Sequence, residues 1–185
     1  MNPIRAAVVT ISDKGYTGQR EDVSGPLLAH LLRDMGAEVV RQMIVPDERD
    51  EIVRLLVTLI DEASGEGASE GFTSSEGLSD EMVVDLVLTT GGTGVTPRDV
   101  TPEATRAVIQ REMPGLAEAL RFTGYRKTPL AVISRGVAGI RGRTLIINLP
   151  GSPNAVRDGM ETLTPILPHA IKMIQGQETE HHHEE

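Results

Sequence analysis

Fifteen consecutive residues hold most of the chemical information in this chain: Thr89-Thr90-Gly91-Gly92-Thr93-Gly94-Val95-Thr96-Pro97-Arg98-Asp99-Val100-Thr101-Pro102-Glu103. Three glycines in four residues let backbone N–H groups approach a ligand without interference from Cβ. Such a run suits phosphate oxygens. Asp99 then brings a carboxylate near those oxygens, a combination that a bridging divalent cation makes tolerable. The run has neither the dinucleotide-binding glycine spacing nor the lysine of the common phosphate-loop pattern. A tight turn carrying a surface Asp is the plainer alternative.

A second acid-bearing stretch is Pro46-Asp47-Glu48-Arg49-Asp50. Asp47 stands where a helix N-cap belongs, and capping alone accounts for its type. It also follows a strand, on the edge where the glycine run sits. Two acids on that edge, Asp47 and Asp99, suit a shared metal or an ordered nucleotide. Asn148-Leu149-Pro150-Gly151-Ser152-Pro153-Asn154 repeats the pattern of strand, glycine turn and capped helix. It reads equally as a second anion site and as an ordinary strand–helix connection. Ser134-Arg135-Gly136 adds an arginine close to a glycine.

The elements that must position these residues follow from hydrophobic period and punctuation. Arg5–Ser12 and Glu38–Val45 read as strands, and Met82–Leu88 reads as a buried parallel strand feeding the glycine run. Leu130–Ser134 and Leu145–Leu149 read as two more strands. Ser24 is expected to cap a helix running to about Met35, stopped by Gly36. Further helices are expected over Glu48–Glu62, Pro102–Arg111, Leu116–Arg121 onward, Pro153–Leu163 and Pro165–Ile174. Thr101 is expected to cap the helix that begins at Pro102. Strands joined by helical crossovers make the class α/β, with a mostly parallel sheet. In such sheets ligands bind outside the carboxyl ends of the strands, where the glycine run lies.

Ala63–Asp80 holds four Gly, five Ser and four acids with no Lys or Arg, and reads as a flexible insertion. Gln177–Glu185 is an acidic tail containing His181-His182-His183, to which no role is assigned. The expected organisation is one domain over residues 1–176, interrupted at 63–80, with a disordered tail over 177–185. The formal net charge is −9, and eight acids lie in those two segments, so the remainder is nearly neutral. Basic clusters and aromatic platforms are missing, which points away from nucleic acid. Zero Cys excludes disulfides and thiolate chemistry. No apolar run approaches the ~18 residues of a membrane span. The start Met1-Asn2-Pro3-Ile4-Arg5 does not read as a secretory leader, so a cytoplasmic protein is expected. His30 reads as structural or solvent-facing.

Five motifs in this order resemble one family. They are Thr89–Glu103, Pro46-Asp47-Glu48, Glu112-Met113-Pro114-Gly115, Ser134-Arg135-Gly136 and Asn148–Pro153. The family is the molybdopterin adenylyltransferases of the MogA/MoaB type, similar also to a domain of gephyrin. The likeness runs from about Arg5 to Ile174, and the insertion and tail depart from it without touching a motif. The resemblance implies a three-layer α/β/α sandwich, the molybdopterin-binding fold, assembled as a homotrimer. It implies that the molybdopterin phosphate attacks the α-phosphorus of ATP, with Mg²⁺, giving adenylylated molybdopterin and pyrophosphate. Carried over by position, Asp47 and Asp99 are the essential acids and metal holders. Thr90, Gly91, Gly92, Thr93 and Gly94 form the nucleotide and pterin loop. Ser12, Asp13, Ser134, Pro150, Gly151 and Ser152 line the pocket. Independently of the resemblance, Arg98 or Arg135 would suit a leaving pyrophosphate. A separate molybdenum insertase is an implied partner. Two other readings stay open: a molybdopterin carrier without catalysis, and a nucleotide hydrolase like the CinA group.

Overall fold

The computed structural model describes residues 3–61 and 84–176. The expected insertion at 63–80 and the tail at 177–185 lie outside the described residues.

The elements follow in the order β1 (Arg5–Ile11), α1 (Asp13–Tyr16), α2 (Ser24–Asp34), β2 (Glu38–Val45), α3 (Arg49–Asp61), β3 (Leu86–Thr90) and α4 (Thr101–Val108). Then come β4 (Arg111–Glu112), α5 (Pro114–Lys127), a 3-10 segment (Pro129–Ile133), β5 (Ala138–Arg141), β6 (Thr144–Leu149), α6 (Pro153–Leu163) and α7 (Leu167–Ile174). One six-stranded sheet runs in the order β2-β1-β3-β6-β5-β4. β2, β1, β3 and β6 are parallel, while β5 and β4 join antiparallel.

Alternation along β1 explains the layers. Ala6 and Val8 face one core and Ala7, Val9 and Ile11 the other, all buried, as successive residues of a strand must. The first core takes Leu28 and Leu32 of α2, Leu116 of α5, Val156 and Met160 of α6 and Ile171 of α7. The second takes Ile52, Leu56 and Leu59 of α3 with Ala104 and Val108 of α4. Apolar positions three and four apart on each helix put these side chains on one stripe. A fully buried Leu such as Leu28 or Leu56 contributes about 1.5–3 kcal/mol. The expected three-layer α/β/α architecture therefore forms, with an aliphatic core.

Several local expectations are corrected. Leu130–Ser134 is not a strand. Pro129 opens a 3-10 turn there, and Leu130, Val132 and Ile133 stay exposed. The place beside β6 goes instead to β5, whose tight turn to β6 uses Gly142 at φ +55. The helix expected to reach Arg111 ends at Val108, because Arg111 and Glu112 pair with Ile140 and Gly139. β3 begins at Leu86 rather than Met82, of which Met82 and Val83 lie outside the described residues. Ser24 is the first helical residue and not the cap. Val23 holds the cap position, and Asp22 just before it accepts from the Gly25 N–H at 3.0 Å and the Ser24 hydroxyl at 3.2 Å. Gly36 does stop α2, at φ +89. Ser152 caps α6, accepting from the Ala155 N–H at 3.2 Å. His30 is exposed beside Asp34, as expected.

Candidate active site

The carboxyl ends of the four parallel strands lie level. Ile11 pairs with Val45, Thr10 with Thr90, and Thr90 with Leu149. β1 is followed along the chain by β2 on one side and, later, by β3 on the other. The strand order thus reverses beside β1, and the connections there part to leave a crevice. A cleft of about 1020 Å³ opens at this point. Ser12, Asp47, Thr90, Gly91, Gly92, Thr93, Gly94, Asp99, Ser134, Pro150, Gly151 and Ser152 line it. Asp13, expected to line the pocket, is outside that lining, as are Arg98 and Arg135; Asp13 bonds Asp47, Arg135 bonds Gly94, and Arg98 bonds Asp13.

The glycine run is shaped by close approach. Gly91 has φ +106, and a Cβ on it would lie 2.2 Å from the Ile11 carbonyl oxygen. Gly92 has φ +61, and a Cβ there would meet Thr101 Oγ1 at 2.3 Å and Asp47 Oδ1 at 3.1 Å. Side chains are excluded at both positions by backbone sign and by space. Thr101 does not cap α4 as expected. It is wholly buried and donates its hydroxyl to the Gly91 carbonyl at 2.9 Å, while its N–H bonds the Gly92 carbonyl at 3.1 Å. The Gly91 N–H bonds the Leu149 carbonyl, and Thr90 Oγ1 donates to the Pro150 carbonyl at 2.9 Å. The run is thereby tied to α4 and to the Pro150–Ser152 turn. The N–H groups of Gly92 and Thr93 make no hydrogen bond among the described residues and remain available for a ligand.

Asp47 is not engaged as a cap. Its Oδ2 accepts from the Asp13 N–H at 2.8 Å, and its own N–H donates to Asp13 Oδ1 at 3.0 Å. This reciprocal pair locks the β1 and β2 ends together and leaves Asp47 Oδ1 against Gly92. Burial, the largest influence, raises the Asp47 carboxyl above its ordinary range. The Asp13 amide opposes that rise, and the Asp13 and Asp99 charges add to it. Asp13 itself is held below the ordinary range by the Arg98 guanidinium. Arg98 grips both Asp13 oxygens, at 3.1 Å from Nε and 2.9 Å from Nη2, and reaches Glu48 with Nη1 at 2.8 Å. Those two acids strengthen its hold on its own proton.

Asp99 closes a turn of the glycine run. Its Oδ2 accepts from the Thr96 N–H at 2.8 Å and the Thr96 hydroxyl at 2.6 Å. Burial pushes its carboxyl up, but the Thr96 and Gly94 bonds and the Arg135 charge outweigh that and hold it below the ordinary range. Arg135 clamps the ends of the same turn. Its Nε donates to the Gly94 carbonyl at 2.6 Å and its Nη2 to the Asp99 carbonyl at 2.5 Å, while Nη1 pairs with Glu103 of α4. The Arg135 N–H bonds the Thr93 carbonyl at 2.8 Å.

Sequence reasoning missed some residues of the site. Asn148 is buried below the glycine run. Its amide donates to Thr89 Oγ1 at 3.0 Å and Thr105 Oγ1 at 2.9 Å and accepts from the Val137 N–H at 3.2 Å, so it is well satisfied. Asp22 joins the cleft wall and accepts the Thr10 hydroxyl at 2.6 Å. An acid two residues ahead of a helix was the available sign for Asp22. Leu130 and Ile133 also line the cleft, which a strand over that run does not suggest.

Two open amides and a pair of carboxylates at the switch point of a largely parallel sheet define a ligand-binding α/β domain suited to phosphate-bearing molecules. Within that class the chain belongs to the family described as the probable molybdopterin binding domain, whose model matches residues 7–65 and 73–169. The break in that match falls inside the 63–80 segment. The chain is 37% identical over 178 residues to the molybdopterin adenylyltransferase of Helicobacter pylori strain J99, covering 95% of this chain and 90% of that protein. It is 44% identical to the solved molybdopterin biosynthesis enzyme MoaB of Thermus thermophilus, with a TM-score of 0.79 and coverage of 94% and 97%. A CinA protein from Thermoplasma acidophilum shares the fold at TM-score 0.56 and 20% identity, over 92% of this chain and 99% of that one.

Proposed function

We propose that this protein is a molybdopterin adenylyltransferase of molybdenum cofactor biosynthesis. An oxygen of the molybdopterin phosphate forms a bond to the α-phosphorus of ATP, the bond to the β-phosphate breaks, and pyrophosphate leaves. The carrying observation is the placement of Asp47 Oδ1 and Asp99 against a glycine run with free Gly92 and Thr93 amides. Phosphoryl-type transfer needs positioning and charge neutralisation more than covalent help, and the nucleophile belongs to the substrate. The relative's name supports the same chemistry.

Among the described residues, no group of three or more acids or histidines is arranged to hold a metal ion. Two carboxylates, Asp47 and Asp99, fit Mg²⁺ all the same, because Mg²⁺ takes few protein oxygens and completes its shell with phosphate and water. Bound there, Mg²⁺ would neutralise phosphate charge. Gly92 and Thr93 would hold phosphate oxygens, and Ser12, Pro150, Gly151, Ser152 and Ser134 would line the rest of the site. The same reading includes a homotrimer in the cytoplasm that passes its product to a molybdenum insertase. Exposed Phe122 and Tyr125, one turn apart on α5, suit a subunit contact. Among the described residues no helix is long and apolar enough to cross a membrane.

One observation favours the carrier reading: Arg98 and Arg135 are both committed to ion pairs, so neither is free for pyrophosphate. Incubating the protein with molybdopterin and Mg-ATP separates the two. Stoichiometric pyrophosphate and adenylylated molybdopterin establish the transferase. Molybdopterin binding without pyrophosphate release establishes the carrier. The likeness to CinA carries only the fold.

A further inference from the structure

Five carboxylates line the cleft, those of Glu21, Asp22, Asp47, Asp99 and Asp158, and one cationic side chain, that of Arg20. The other cations around the cleft are held by acids. Arg98 is paired with Asp13 and Glu48, Arg135 with Glu103, and Lys127 with Asp158 and Glu161. The Arg20 side chain makes no ion pair among the described residues. Its one hydrogen bond there runs from Nη2 to Ser12 Oγ at 3.3 Å.

The backbone of Arg20 is fixed while its head is not. After α1 the chain turns back at Gly18, at φ +70, and the Arg20 N–H bonds the Lys14 carbonyl at 3.0 Å. This brings the side chain to Ser12, just past the end of β1. Ser12 Oγ also accepts from the Gly15 N–H at 3.1 Å, so it keeps a donor when Arg20 moves away. Asp22, two residues on, does not hold the guanidinium, because its oxygens accept from the Thr10 hydroxyl, the Ser24 hydroxyl and the Gly25 N–H. A guanidinium offers five N–H donors in a planar fork, and a long contact to a neutral hydroxyl engages only one. Exchanging that contact for phosphate oxygens gives shorter, charge-assisted and bidentate bonds. Arg98 and Arg135 could make the same exchange only by abandoning a carboxylate.

We infer that Arg20 is a further catalytic residue, the receptor for the outer phosphates of the nucleotide and so for pyrophosphate as it leaves. The inference rests on the reading of the cleft as an adenylyltransferase site. In that transfer an oxygen of the molybdopterin phosphate bonds to the α-phosphorus, and the oxygen bridging to the β-phosphate keeps the electron pair of the bond that breaks. Negative charge gathers on the departing pyrophosphate, and a cation already in place there acts on the transition state. Placement favours the phosphate chain over a single phosphate group. Arg20 reaches in from the end of β1, while the open Gly92 and Thr93 amides belong to the loop after β3, the adjacent strand. Successive phosphates of one chain can meet the two.

The test compares Arg20→Gln, Arg20→Lys and Lys14→Gln by calorimetric titration with inorganic pyrophosphate, AMP and molybdopterin, all at one fixed Mg²⁺ concentration. Lys14 is an exposed cation outside the cleft lining and controls for general charge. Arg20 is exposed and its bond to the Lys14 carbonyl is a backbone bond, so the variants are expected to melt as wild type does. Arg20→Gln is expected to weaken pyrophosphate binding by about tenfold to a hundredfold, the size of lost charge-assisted hydrogen bonds, and to leave AMP and molybdopterin binding unchanged. Turnover of molybdopterin with Mg-ATP falls by roughly a hundredfold. Arg20→Lys keeps the charge without the fork and recovers part of both losses, and Lys14→Gln behaves as wild type. Wild-type pyrophosphate affinity in Arg20→Gln overturns the inference, as does an equal or greater loss for AMP or molybdopterin. The same loss in Lys14→Gln, or wild-type protein that binds no pyrophosphate, also overturns it. Failure of the transferase reading is seen separately, as molybdopterin and Mg-ATP left unconverted by wild-type protein whose pyrophosphate binding still depends on Arg20.

Discussion

Replacing Asp47 with Asn separates a structural carboxylate from a reacting one. The side chain keeps its shape, and an amide oxygen can still accept the Asp13 N–H that Asp47 Oδ2 accepts at 2.8 Å. The Asp47 N–H to Asp13 Oδ1 bond, at 3.0 Å, belongs to the backbone and is unaffected. What disappears is a negative charge among Asp13 and Asp99. Burial and those charges raise the Asp47 carboxyl, so in the folded protein its ionised form is disfavoured. The sign follows from linkage: a group with a raised folded value contributes stability below its unfolded range and loses it as pH rises through the folded value. Wherever Asp47 is ionised, wild type bears that cost, and Asp47→Asn does not. The variant should melt at or slightly above the wild-type temperature at pH 7, and the advantage should shrink as pH falls into the carboxylate range. Turnover should behave oppositely. Losing one preorganised charge-stabilising group costs roughly 10²–10³-fold, or about 2.7–4 kcal/mol of transition-state stabilisation. Pyrophosphate release from Mg-ATP and molybdopterin measures this, with scanning calorimetry on the same samples. A folded Asp47→Asn protein turning over at the wild-type rate refutes the catalytic placement. A variant that instead melts several degrees lower shows that the carboxylate charge itself holds the loop, contrary to the reciprocal geometry.

Gly91→Ala should destabilise the chain by about 1–3 kcal/mol from its positive φ alone. Its Cβ would also press on the Ile11 carbonyl at 2.2 Å, so a fall of several degrees in melting temperature is expected, and an unchanged melt would contradict the close approach. Asp13, Asp61, Asp99 and Glu103 are all held below their ordinary range, Asp61 chiefly by its bond from Arg141. Their contribution is complete above that range and is lost as pH falls through the depressed values, so denaturant midpoints should drop on acidification. Arg141→Gln should flatten that drop by removing the share of Asp61, and an acid profile matching wild type would show that this pair carries none of it.

The edge on which the site sits was legible because it depends on local signals. A glycine run after an apolar run, Asp47 after another, and Ser152 before Pro153 each announce a strand end feeding a helix, and parallel strands bring such ends together. Partners were not legible, because register decides them. Thr101 beside Pro102 has the signature of a cap, yet a hydroxyl ten residues from Gly91 finds a buried carbonyl there and satisfies it instead. Asp47 also reads as a cap, until β1 and β2 pair with Ile11 opposite Val45 and set the Asp13 amide within reach. The run Leu130–Ile133 is apolar enough for a strand. It stays exposed because β3 and β5 already flank β6, and a short apolar run carries too little periodicity to reveal this.

The charge pattern of the site has a consequence for how it works. Arg98 is the cation that answers Asp13 and Glu48, and Asp13 in turn donates its amide to Asp47. Drawing Arg98 toward an incoming phosphate would leave the Asp13 carboxylate unopposed beside Asp47, whose ionised form is already disfavoured. Arg135 is no freer, since releasing it would loosen the turn that holds Asp99. Arg98 and Arg135 therefore shape the acids and do not serve as anion receptors. Arg20 is placed differently: it lines the cleft and, among the described residues, its side chain bonds only Ser12 Oγ, at 3.3 Å, so it can meet an anionic substrate that settles on the Gly92 and Thr93 amides. On the proposed reading, a divalent cation carried by the ATP phosphates would meet the charge of Asp47 and Asp99 with the protein fold left as it stands.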